Sequence, residues 1–156
     1  VSEPAELARG YVRALAIAAG LHVSVCDVAA DGVDFGFRFP ASVFPAVEAR
    51  VVWTAKPRGE DAEWCYDGLD EVCFNRLAGQ EFAVPRFLFL LVLPPDRAYL
   101  SFQSDGMVLR HLGYFHPMND EVPVSAPDRS RCRPVRISLA RVLTGSSLRE
   151  LLRSVR

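Results

Sequence analysis

The sequence is poor in lysine: of 18 basic residues 17 are arginine and only Lys56 is lysine. It also lacks long apolar runs, the longest being the seven residues 87–93, far short of the roughly 20 that a membrane-spanning helix needs. Near its start stand Glu3 and Glu6, where a secretory leader would carry basic residues. Transmembrane and secretory readings are set aside, and a soluble protein of the cytoplasm is expected. The four cysteines, Cys26, Cys65, Cys73 and Cys132, form no C-x-x-C pair and no zinc-type spacing with His22, His111 or His116. Buried free thiols are therefore expected in place of a structural zinc. Absent too are the glycine-rich phosphate loops and the G-x-S-x-G nucleophile elbow, which removes the commonest sequence-visible chemistries.

What is present is the composition of one globular domain: 156 residues, half of them hydrophobic, 24% charged. The formal net charge of -1 conceals an asymmetry. Residues 1–127 hold 10 basic against 17 acidic side chains, net -7, whereas residues 128–156 hold 8 arginines against Asp128 and Glu150, net +6. Arg129, Arg131, Arg133, Arg136 and Arg141 are thus candidates for contacting a phosphate backbone. The competing reading places such arginines on the solvent face of a terminal helix.

Periodicity predicts a helix over 4–19, with Pro4 in its first turn, Leu7, Tyr11, Ala14, Leu15 and Ala18 on one face, and Gly20 to end it. Strands are expected over 21–28 and 33–39, joined by Ala29-Ala30-Asp31-Gly32 as a hairpin, and over 47–55, ended at Lys56 by Pro57. A short strand over 64–66 and a short helix over 68–77 follow. Residues 87–93, apolar without alternation, predict a central strand covered on both faces. Residues 98–103 and 107–114 bracket Ser104-Asp105-Gly106 as a hairpin, residues 133–139 form a further strand, and Ser147 with Glu150 reads as a capping box opening the last helix. The class is α/β or α+β, a mixed sheet with helices packed on it.

The candidate chemistry is an acid on one strand and the sole lysine at the end of the next. Asp34 lies opposite the face that carries Val33, Phe35 and Phe37. One chain reversal would bring the end of the next strand, Thr54-Ala55-Lys56, beside it. Such a pair suits phosphodiester hydrolysis: the carboxylate binds Mg²⁺, the metal acidifies a water, and the lysine orients that water or offsets developing charge. A solvated Asp34 beside an unrelated Lys56 is the plainer alternative. His111 and His116 are read as structural or surface histidines.

Four segments, Asp31-Gly32-Val33-Asp34-Phe35, Val51-Val52-Trp53-Thr54-Ala55-Lys56, the element from Val84 to Pro94, and Leu109-Arg110-His111-Leu112-Gly113-Tyr114-Phe115, resemble in that order domain of unknown function 4365. That family is related to the restriction-endonuclease-like PD-(D/E)xK nucleases. The resemblance implies one such domain over 1–156, a mixed central sheet flanked by an N-terminal and a C-terminal helix. It makes Asp34 the metal-binding acid and Lys56 the catalytic lysine, with Glu6 on the first helix, or less well Glu3, as a further acid at the metal. Mg²⁺ or Mn²⁺ would be the cofactor and DNA the substrate, in a bacterial genome-defence setting. Thr54 departs from the pattern, since its position carries Gln in the family and Glu or Asp in many nuclease relatives. Two readings follow: a metal-dependent nuclease with Asp34, Lys56, Glu6 and Thr54 at its centre, or a non-catalytic domain of the same fold that binds nucleic acid or a protein partner.

Overall fold

The computed structural model describes residues 2–96, 98–110 and 113–155; His111 lies outside them. The chain opens with helix α1, Glu3–Ala18, where the Ser2 hydroxyl accepts the Ala5 N–H at 3.4 Å and Gly20 at φ +75° closes the exit. Its buried stripe is Ala8, Val12 and Ala16, flanked by Leu7, Tyr11 and Leu15. Ala14 and Ala18, expected on that face, are exposed. The helix is rotated so that Ala8, Val12 and Ala16, rather than Ala14 and Ala18, meet the sheet.

Strand β1, His22–Val25, and β2, Phe35–Arg38, pair antiparallel as expected. Their connection is not a tight turn but a one-turn helix, α2, Val28–Asp31. Asp27 caps it by accepting the Ala29 N–H at 3.0 Å, and Gly32 leaves it in the left-handed conformation at φ +80°. A side chain at position 32 would also meet the Arg76 Cβ at 2.9 Å. Arg76 stays close because its guanidinium donates to the Val28, Ala29 and Ala30 carbonyls at the end of α2. The Asp-Gly signal was thus a helix exit rather than a hairpin turn.

Strand β3 is Val47–Thr54, β4 is Glu63–Tyr66, α3 is Glu71–Asn75 and β5 is Arg86–Val92. The hairpin β6, Leu100–Gln103, and β7, Gly106–Leu109, stands apart as its own two-stranded sheet with a loop of only Ser104 and Asp105. The chain re-enters the main sheet as β8, Gly113–Pro117, so the run expected to be one strand over 107–114 is divided between two sheets. Strand β9, Val135–Ser138, pairs with β4, and β10, Val142–Leu143, joins β8. Helix α4, Gly145–Ser154, begins a turn earlier than expected. Thr144 is its cap, in a reciprocal box with Ser147: Thr144 Oγ1 accepts the Ser147 N–H at 3.0 Å and Ser147 Oγ accepts the Thr144 N–H at 2.8 Å.

The main sheet runs β1-β2-β3-β5-β8-β10, antiparallel except for the parallel pair β3 and β5. Both terminal helices lie on one face, with Val12, Ala16, Leu148 and Leu152 packed on Phe37, Ala49 and Phe89. The other face carries α3 and the β4–β9 ribbon over Val52, Leu88 and Leu90. The result is a three-layer α+β arrangement in which β5 is buried on both sides, as its non-alternating sequence requires. No helix among the described residues is long and apolar enough to cross a membrane.

Candidate functional site

Asp34 sits just before β2, so its position follows from the end of that strand. On β3, the Val51 N–H points toward β2 but lies beyond the last residue that β2 can pair with, since Phe35 already faces Ala49. A backbone N–H left so in the interior costs about 1–3 kcal/mol. The Asp34 carboxylate fills the gap: Oδ2 accepts the Val51 N–H at 2.7 Å and the Arg50 Nη1–H at 2.9 Å, while Oδ1 meets Arg9 Nε at 3.4 Å. Arg9 arrives from α1, on the helical face of the sheet, and packs over the Phe35 ring at 5.5 Å. Arg50 lies on the other face of β3, beside Leu69, Cys73 and Leu77. The carboxylate, 1% exposed, is thus held between two guanidiniums and a main-chain donor.

The other expected members of the site lie elsewhere. Thr54 ends β3 four residues beyond Arg50, about 13 Å along an extended strand, and Lys56 lies further on. Asp34 and Lys56 are therefore not brought together, because Asp34 pairs with the middle of β3 rather than with its end. Glu6 is exposed on α1, and the side chain that the helix sends to Asp34 is Arg9. Thr54 and Lys56 do share a site: with Trp53, Arg58, Tyr66 and Asp67 they line a cleft of about 700 Å³ past the end of β3. Burial pushes the Tyr66 phenol above its ordinary pKa, so it stays protonated at neutral pH.

Three of the five C-terminal arginines gather at α3. Arg131 donates to Glu71 Oε2 at 2.9 Å, Arg129 lies 3.9 Å from Asp70 Oδ2, and the Arg133 guanidinium stacks over the Phe74 ring at 5.2 Å. Arg136, on β9, lines an acidic hollow with Glu60, Asp61 and Glu63. Arg141 donates to His116 Nδ1 at 3.3 Å; because a guanidinium only donates, that nitrogen accepts, and Nε2 carries the proton toward Glu121 Oε1 at 2.9 Å. These arginines mostly tie the last third of the chain to the fold.

The α3 cluster sets an acid sensitivity. The Cys73 N–H lowers the Asp70 pKa, the Arg131 guanidinium that of Glu71, and the Ser130 N–H that of Asp128. Because the folded values are depressed, the stability they contribute is complete above the usual carboxylate range of about 4 and is lost as pH falls through the folded values. Amide exchange in residues 70–76 and 126–133 should accelerate in that acid window before the main sheet opens. Protection that stays flat down to the acid unfolding of the whole chain would contradict this.

The thiols are less buried than expected: Cys65 and Cys132 are exposed, and Cys26 and Cys73 are half-buried. Burial raises the Cys26 and Cys73 pKa values, against a thiolate nucleophile at neutral pH. Among the described residues no three His, Cys, Asp or Glu side chains are grouped to hold a metal ion. The residues that pattern reading missed are Arg9 and Arg50. Arg50 comes opposite Asp34 only in the register that pairs Phe35 with Ala49, which the sequence pattern leaves open, and Arg9 shows only as one more charge on an amphipathic helix. No protein-family model, no curated protein and no solved structure matches the chain.

Proposed function

We propose that this chain is a non-catalytic binding module, built on a sheet that the sequence likens to the PD-(D/E)xK nucleases, and that its partner is a protein. The observation that carries this reading is the closure of Asp34 by Arg9, Arg50 and the Val51 N–H. A Mg²⁺ ligand needs oxygen lone pairs open to the ion and negative charge left uncompensated. Asp34 offers neither, and Thr54 adds only one short neutral hydroxyl at a different place on β3. A protein partner is favoured over nucleic acid because Arg129, Arg131, Arg133, Arg136 and Arg141 face acids, a ring or a histidine of the chain itself. The nuclease reading, with Mg²⁺ and a defence role, rests on the sequence resemblance alone.

The two readings separate in calorimetry and a cleavage assay. The parent chain and Thr54→Glu should both give no heat of Mg²⁺ or Mn²⁺ binding and leave linear and supercoiled DNA intact. Metal-dependent cleavage that disappears in both Asp34→Asn and Lys56→Ala would overturn the binding-module reading.

A further inference from the structure

The main sheet ends in an edge strand whose free hydrogen-bonding groups can be assigned. The Cys26 N–H donates to the Asp34 carbonyl at 2.9 Å, and the register pairs His22 with Arg38 and Ser24 with Gly36. In an antiparallel ladder hydrogen-bonded and non-hydrogen-bonded pairs alternate. Residues 22, 24 and 26 therefore bond inward to β2, and the N–H and C=O groups of Val23 and Val25 face the open edge.

The flanks of this edge differ in chemistry. On the α1 side lie Ile17 and Val25, 60% and 59% exposed, with Val23 between them and the core. On the opposite side lie His22 and Arg38, cross-strand partners. Arg13, Ile17, His22, Ser24 and Arg38 together line a groove of about 340 Å³ along the strand. Among the described residues no carboxylate pairs with Arg13, His22 or Arg38; the Arg38 guanidinium donates only to the Pro40 and Ser42 carbonyls.

We propose that β1 is a docking edge for an extended acidic peptide segment of a partner protein, which adds to the sheet as a further strand beside Val23 and Val25. A strand alternates its side chains with period two. A segment alternating apolar and acidic residues would lay its apolar side chains against Ile17 and Val25 and its carboxylates toward His22 and Arg38, with Arg13 at the groove wall. Main-chain bonds supply affinity and the alternating side chains supply selectivity, as in other strand-addition complexes. A second copy of this chain is the poorer occupant, since pairing β1 with itself would crowd Arg13, His22 and Arg38 of both copies along one seam. The proposal rests on the binding-module reading, but its test is independent of metal and DNA.

The probe is a fluorescein-labelled peptide of alternating Glu and Val, titrated in fluorescence anisotropy at low salt. It should bind, and the same peptide N-methylated at alternate residues, which cannot pair through its backbone, should bind at least about tenfold more weakly. A Lys-Val peptide should show a comparable loss. Val23→Pro removes an outward N–H that the ladder to β2 does not use, and should weaken binding while leaving the thermal midpoint nearly unchanged. Amides of Val23 and Val25 should gain exchange protection with bound peptide. Absence of binding, equal binding of the N-methylated or Lys-Val peptide, or a dimer in sedimentation that Val23→Pro dissociates would each overturn the proposal. If these fail while metal binding and cleavage stay absent, the docking edge falls and the binding-module reading stands.

Discussion

Asp34→Ala is expected to lower the stability of this chain by about 3 kcal/mol or more, because it breaks a buried ion-paired cluster and strands a buried N–H. At the usual entropy of unfolding for this size, that is a fall in the thermal midpoint of roughly 6–12 °C. Asp34 accepts from Arg50 and the Val51 N–H and is ion-paired with Arg9 at once, and alanine leaves nothing in the sheet plane to replace it. Asp34→Asn keeps an oxygen for Val51 and loses the charge, so it should fall between parent and alanine. Lys56→Ala, at an exposed residue with no ion pair among those described, should stay within about 0.5 kcal/mol of the parent. The comparison is diagnostic because a carboxylate kept open for a metal is often a strained site, whose removal leaves stability unchanged or raised. Thermal denaturation of the three variants decides it, and a neutral or stabilising Asp34→Ala would remove the structural role assigned to this residue.

The Asp34 case shows which part of a site a sequence carries. The two strands, their order and the burial of Phe35 and Phe37 on one face follow from alternation and turn residues, and the structure has them, whereas Val33, expected on that same face, precedes β2 and packs in the opposite core beneath α3. What alternation leaves undetermined is register. Pairing Asp34 with Lys56 required the reversal after β2 to return β3 at its far end, whereas Pro40, Pro45 and the turn between them return it so that Phe35 faces Ala49. That places Arg50, not Lys56, opposite the acid. Arg9 was harder to foresee, because its partner depends on how α1 is rolled on the sheet. The roll buries Ala8, Val12 and Ala16 and leaves the equally small Ala14 and Ala18 exposed, a choice that helical periodicity alone does not fix. The same limit explains β10: two residues joined to β8 carry no periodic signal of their own, and they form a strand only because β8 offers a free edge.

Residues 87–93 were legible for the opposite reason, since an unbroken apolar run of strand length between Pro85 and Pro94 suits a strand with cover on both sides, and this sets the other large expected effect. Phe89 packs in the helical core, with its ring 5.9 Å from that of Phe37, and its neighbour Leu88 packs in the core beneath α3 and the β4–β9 ribbon. Phe89→Ala should cost about 3–5 kcal/mol and Leu88→Ala about 2–5 kcal/mol, each opening a cavity on one side of the same strand. Because β5 is hydrogen-bonded to both β3 and β8, neither core can open without disturbing the strand that also floors the other. Each single variant should therefore unfold in one cooperative transition, with fluorescence and far-UV circular dichroism coincident in urea. A domain of this size has about 5–15 kcal/mol of total stability, so the double variant is expected to show no cooperative transition at 25 °C. Two separated transitions in either single variant would show that the cores fold as independent units and that β5 does not couple them.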